Sequence, residues 1–225
     1  MTQTRIYTSA LLLVLSVVPT LSAHEGEKHQ AAPAAPISEF SAQSLQEANR
    51  IQVQKVIPPA AEVERARSYF TDMTLTTHTG ERVKFYSDML HGKVVLLNVM
   101  YTRCKDACPL VTQHLSKVKA QLGPLFGKEV FFVSISNDPG RDTPEALQQF
   151  AKKHQADHPG WTFLTGNAEM VKQVVSKFGL YPDDIEAHNP LLLAGNTRTR
   201  HWSKIIPNTP VPTIAMKLRN LLREG

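Results

Sequence analysis

An apolar, β-branched run, Val94-Val95-Leu96-Leu97-Asn98-Val99-Met100-Tyr101, leads into two cysteines, Cys104 and Cys108, and a helix-like stretch follows from Asp106 to Leu122. The run reads as a buried central strand. The pair are the only 2 cysteines in 225 residues. A strand that feeds two thiols into a helix start is a frame for thiol chemistry. The exposed N–H groups and dipole of the helix start favour thiolate over thiol. Two such thiolates can close a disulfide, exchange one with another protein, or bind a soft metal ion. A purely structural disulfide is the weaker reading, because closing so short a loop gains little chain entropy.

The segments around this frame read as alternating strands and helices. Phe70 to Thr76 and Arg82 to Tyr86 alternate around Thr79-Gly80 and predict an N-terminal β-hairpin. Glu129 to Ile135 is a second buried strand. Asp142-Thr143-Pro144-Glu145 marks the start of a helix that runs to about His154. Trp161 to Leu164 is a short strand and Ala168 to Phe178 a helix. Pro190 to Ala194 and Thr199 to Ser203 make a second hairpin around Gly195-Asn196, and Thr209 to Arg223 closes as an amphipathic helix. This order predicts an α/β sandwich, a central mixed sheet with flanking helices and an added N-terminal hairpin. The cysteines would sit at the carboxyl end of a central strand, where open α/β sheets place their sites.

Residues 1–23 read as a signal peptide: Arg5, an apolar core from Ala10 to Val18, then Leu21-Ser22-Ala23 as the cleavage site. The apolar core is shorter than the roughly 20 residues that span a bilayer. No cysteine follows it directly, so a lipid-modified cysteine there is not expected. Residues 24–60 read as a flexible tether with an Ala/Pro spacer, Ala31 to Pro36, and a polar helix from Ser38 to Val56 that Pro58-Pro59 would end. Residues 61–225 form the folded domain. Export implies an oxidising compartment, the periplasm, where a close cysteine pair can form a disulfide. Membrane association is expected only through a partner or an uncleaved N-terminus. The formal charge is +5, and no Lys/Arg stripe interleaved with aromatics points to nucleic acid. The balance fits solubility and attraction to acidic protein partners.

Copper(I) favours thiolate, and imidazole suits both copper states. Two ligands alone make a weak site, which turns attention to the 9 histidines. His24 and His29 lie in the tether, where a polar tail is the simpler reading although a terminal His24 could chelate copper(II). His78, His91, His154, His158 and His201 fall at turns, helix ends or within the late hairpin, and His114 lies on another face of the cysteine helix. His188 stands in Glu186-Ala187-His188-Asn189-Pro190, immediately before an apolar run. From spacing alone, a surface loop histidine remains the stronger reading.

Cys104-Lys105-Asp106-Ala107-Cys108-Pro109 after an apolar strand resembles the CxxxCP motif of the SCO/SenC family. Ser136-Asn137-Asp138-Pro139-Gly140-Arg141-Asp142-Thr143-Pro144 is similar to that family's DPxRDTP segment, and His188 stands where its metal-binding histidine would fall. The resemblance covers about Tyr69 to Leu222. It implies a thioredoxin-like domain that binds copper through Cys104, Cys108 and His188. It also implies a role in assembling the dinuclear copper centre of cytochrome c oxidase, with a copper-receiving subunit as partner. Asn189-Pro190 departs from the small hydroxyl residue usual after that histidine. It falls where thioredoxin-like folds often carry a cis-proline, which would swing His188 toward the cysteines.

The first expectation is thus a copper metallochaperone, a binding protein rather than an enzyme. The rival is a thiol–disulfide oxidoreductase in which Cys104 attacks a partner disulfide and Cys108 resolves the mixed disulfide. Its three-residue gap is unlike the C-x-x-C of that chemistry. Zinc is a third reading, weakened by the open position that a Cys2His set leaves. Asp138 and Arg141 read as a turn leading to a helix cap, and Trp161 and Trp202 as packing residues.

Overall fold

The structure, a computed structural model, describes residues 60–181 and 191–224. The expected signal peptide, the polar helix from Ser38 to Val56 and the Asn189–Pro190 bond lie outside the described residues. Helix α1 (Ala60–Phe70) precedes β1 (Thr74–Thr77), β2 (Arg82–Lys84) and a π-helical turn (Phe85–Leu90). Then come β3 (Val94–Met100), α2 (Ala107–Leu122), β4 (Val130–Ser136), α3 (Pro144–Lys153), β5 (Trp161–Thr165) and α4 (Ala168–Lys177). The β6–β7 hairpin (Leu192–Asn196, His201–Ile205) and α5 (Val211–Arg223) close the chain. Among the described residues, no helix is long and apolar enough to cross a membrane.

The strands form one mixed sheet in the order β2-β1-β5-β4-β3-β6-β7. Strands β3, β4 and β5 run parallel at its centre, and antiparallel hairpins flank them on both sides. Side chains alternate across a strand, so β3 feeds two cores. Val94, Leu96 and Met100 pack under α2, α3 and α5, while Val95, Leu97 and Val99 pack under the π-helical turn and α4. With both faces covered, all 7 residues of β3 are buried, which explains its near-continuous apolar run. Its one polar residue is satisfied inside: Ser134 Oγ donates to Asn98 Oδ1 at 2.7 Å, and Trp161 Nε1 donates to Ser134 Oγ at 2.9 Å.

Both predicted hairpins form, with shifted edges. Phe70 ends α1 rather than starting a strand, and its ring packs against Tyr86, Phe178 and Trp202. Tyr86 is not in β2 either. Phe85, Tyr86 and Leu90 are all buried on a coiled turn, where Asp88 Oδ2 accepts from Lys84 N–H at 2.7 Å. The apolar pair Phe85-Tyr86 supports either period, and burial under α1 decides for the coil. In the second hairpin Gly195 and Asn196 are strand residues, and the reversal falls on Thr197–Arg200.

Gly195 is there for space rather than for a turn. It pairs across the ladder with Trp202, and a Cβ on it would lie 2.3 Å from the indole ring. Gly195→Ala therefore forces Trp202 off its seat. Overpacking of this kind costs about 1–3 kcal/mol. A lowered urea midpoint with an unchanged slope is the expected result, and unchanged stability would place the indole elsewhere.

Candidate metal centre

The cysteine turn begins where β3 ends. Cys104 N–H donates to Tyr101 O at 3.2 Å, closing a tight turn off the strand. Helix α2 starts three residues later with no capping contact from the Asp106 side chain. The Cys104 sulfur takes that place. It accepts the Cys108 backbone N–H at 3.2 Å, so a sulfur satisfies one of the orphan donors of the first turn. Pro109 follows in the first turn, where a missing N–H costs nothing. Thr112 Oγ1 donates back to Cys108 O at 2.8 Å and fixes the second cysteine on the helix.

Neither thiol is in a disulfide, both are buried, and they are not equivalent. Burial pushes Cys104 up, but the Cys108 thiol and the backbone N–H groups of Cys108, Asp106 and Ala107 outweigh it, so its pKa lies below the ordinary thiol value. Cys108 is pushed well above that value, first by deeper burial and then by donating to the Cys104 sulfur. A negative charge on the pair therefore resides on Cys104. That sulfur borders a cleft of about 470 Å³ shared with Thr102, Arg103, Lys105, Phe150, Lys153 and His154.

Asp142 holds the turn from beneath. It is fully buried, and its carboxylate accepts Thr102 N–H at 3.1 Å, Thr102 Oγ1 at 2.5 Å and Ser136 Oγ at 2.5 Å. It ties the strand-to-helix loop that carries Cys104 to the end of β4. In the sequence Asp142 marks only a helix start. The cap there is Thr143, whose hydroxyl accepts from Ala146 N–H at 3.2 Å. Asp138 and Arg141 do form the expected turn: Arg141 N–H donates to Asp138 O at 3.0 Å.

Cys104 and Cys108 come together as expected. Among the described residues, no group of three or more His, Cys, Asp or Glu side chains stands ready to hold a metal ion. His188 lies outside the described residues. Leu192, four residues after it, pairs with Asn98 near the carboxyl end of β3, at the end of the sheet where the cysteine turn begins. His114 is engaged elsewhere, its Nε2 lying 2.8 Å from Thr209 O. His154, read from sequence only as a helix end, shares the Cys104 cleft. The donor set suits a soft ion: two sulfurs at a helix start, one of them inclined to thiolate.

The SCO1/SenC family profile matches residues 61–210. A SCO2-like protein of Rickettsia conorii is 34% identical over 117 residues, which span 49% of this chain and 51% of that protein. The chain spans about half the length of that relative and of the other Rickettsia relatives it first matches. Among solved structures, copper-bound ScoI of Arabidopsis thaliana superposes with a TM-score of 0.57 at 25% identity, covering 68% of this chain and 97% of that one. BsSco, described as a member of the Sco family of cytochrome c oxidase assembly proteins with a disulfide switch, superposes with a TM-score of 0.59 at 24% identity, covering 68% of this chain and 92% of that one. The thioredoxin-like arrangement of these proteins is the arrangement of this sheet and its helices, and with the profile spanning most of the folded region, the chain belongs to the SCO1/SenC family.

Proposed function

We propose that this protein is an exported copper-binding assembly factor that holds one copper ion through Cys104, Cys108 and His188. It would pass the ion to a copper-receiving protein, the dinuclear-centre subunit of cytochrome c oxidase. The observation that carries this reading is the thiol pair itself: two sulfurs at the start of α2, with Cys104 stabilised as thiolate and bordering an open cleft. Copper is bound in the structure of the related Arabidopsis ScoI. Imidazole from His188 would complete a set in which two thiolates suit copper(I) and nitrogen suits either state. Copper is cargo here, and the protein's part is to present ligands that a partner can replace one at a time.

The test is titration of the reduced protein with each copper state. One ion per chain is expected, with His188→Ala weakening affinity by at least about tenfold, the lower end of the loss seen even for outer-shell partners. Undiminished affinity in that variant would remove His188 from the ligand set.

One observation favours a second reading, thiol–disulfide exchange. The pair is split into a thiolate-prone Cys104 and a buried Cys108 held as thiol. That is the division between an attacking and a resolving sulfur. Cys104 would attack a partner disulfide, releasing one partner thiolate. Cys108, giving up its proton, would then attack Cys104 and release the second partner thiol as a Cys104–Cys108 disulfide forms. Reduction of a copper-receiving partner's cysteines would be the outcome.

A further inference from the structure

The cleft at Cys104 is one end of a longer groove. It continues along the seam between α2 and α3 into a second cleft of about 490 Å³, and Lys153 and His154 line both. One wall is a single face of α2: Pro109, Gln113, Ser116, Lys117 and Ala120. The other is a face of α3, Ala146, Gln149, Phe150 and Lys153, continued by His154 at its C-terminal end. Both sets follow helical spacing, which makes the walls continuous. Ser116 Oγ donates to His154 O at 3.2 Å and Lys119 Nζ to Gln155 O at 2.7 Å, which ties the two walls together along the second cleft. The groove is open toward Cys104.

Its charge has one sign. Arg103, Lys105, Lys117 and Lys153 line the two clefts, and among the described residues no Asp or Glu does. None of these four makes an ion pair with a described carboxylate. Burial, then the neighbouring Lys153, hold His154 below the ordinary imidazole value, so the positive field comes from the long flexible cations. Such cations on low-dielectric walls attract and orient an oppositely charged partner.

We infer that this groove docks an acidic, extended segment of the protein that meets Cys104, laid along α2 and α3 so that its own ligand or sulfur arrives at the open end. From Pro109 to Ala120 the helix rises roughly 16 Å at 1.5 Å per residue, enough for about five residues of extended chain. The inference rests on the functional reading above, in which Cys104 is where a partner's group arrives. Polar walls of Gln113, Ser116 and Gln149 offer hydrogen bonds to peptide backbone. Among the described residues the aromatic rings lining the groove are Phe150 and the His154 imidazole, and both are buried, so stacked nucleobases find no exposed platform.

The experiment uses the full, reduced, copper-free chain and fluorescent peptides that lack cysteine. Binding is read by anisotropy for oligoglutamate, for oligolysine and for a short oligothymidylate, at low and high salt. The expected result is salt-sensitive binding of oligoglutamate alone. Lys117→Glu with Lys153→Glu should weaken it about tenfold or more, because two favourable contacts become repulsive. Lys204→Glu with Lys217→Glu makes the same change in net charge outside the groove and should weaken it by no more than about twofold. Three results would overturn the inference: no binding of oligoglutamate, equal losses in the two double variants, or tighter binding of oligothymidylate. With no copper in the assay and no sulfur on the peptides for Cys104 to exchange with, the outcome is independent of whether Cys104 and Cys108 hold copper, and both double variants should keep their copper stoichiometry.

Discussion

Serine at either cysteine is expected to abolish tight copper binding, and the two variants should part company in thiol reactivity. Each removes one of the only two thiolate ligands the chain can offer. Outer-shell changes alone cost about 10–100-fold in metal affinity, so loss of a direct thiolate should exceed about a hundredfold. Reactivity separates the pair because their environments differ. Cys104 sits below the ordinary thiol pKa: the first-turn donors overcome the cost of its burial. Cys108→Ser keeps the backbone N–H at 3.2 Å from that sulfur, and its hydroxyl can replace the thiol donor. The variant should therefore retain a fast-alkylating Cys104 whose rate persists below the pH at which an ordinary thiol falls silent. Cys104→Ser leaves only Cys108, buried and raised, and should alkylate slowly up to high pH. Mass-resolved alkylation over a pH series reads both. Equal rates for the two single-cysteine variants would remove the asymmetry and with it the exchange reading, while full copper affinity in either would remove the copper site.

The frame of the site was legible because its signals are local. A doubly covered strand must be apolar along its length, so Val94 to Met100 declared itself, and Cys104 and Cys108 could only fall beyond its end. Thr143-Pro144 named a helix start, and that helix forms. What stayed hidden depends on contacts between distant segments. Asp142 looks like a cap residue beside Thr143, and only the fold brings Thr102 and Ser136 to its carboxylate. The groove is hidden for the same reason. Arg103 and Lys105 lie before α2, Lys117 within it and Lys153 at the end of α3, three places that read separately as ordinary surface charge. The turn of the β6–β7 hairpin was misplaced because Gly195-Asn196 is a common turn pair. Here Gly195 is kept small by Trp202, and Asn196 Nδ2 donates to Leu221 O at 2.7 Å, so both residues are occupied inside the sheet.

Asp142→Ala should be among the most destabilising single substitutions near the site, and it should loosen the cysteine turn as well. The change leaves Thr102 N–H, Thr102 Oγ1 and Ser136 Oγ without the acceptor they now share. A buried donor left unpaired costs about 1–3 kcal/mol, so a total of about 3 kcal/mol or more is expected even if one hydroxyl turns to a new partner. In a domain of this size that corresponds to a fall in Tm of roughly 6–12 °C. Stability alone would not separate this from any core defect. Leu75→Ala provides the comparison: Leu75 is fully buried on the opposite face of the sheet, and its truncation should cost about 2–5 kcal/mol through a cavity. Only Asp142→Ala frees the loop between β3 and α2, so only it should change the alkylation rate of Cys104 and the pH at which that rate falls. Asp142→Asn keeps the shape and one acceptor oxygen, and the hydroxyls of Thr102 and Ser136 can rotate to meet its amide. It should recover much of the stability and part of the Cys104 pH profile. If Asp142→Ala and Leu75→Ala proved equally destabilising with the same Cys104 profile, Asp142 would be a packing residue and the tether from β4 to the cysteine turn would carry no function.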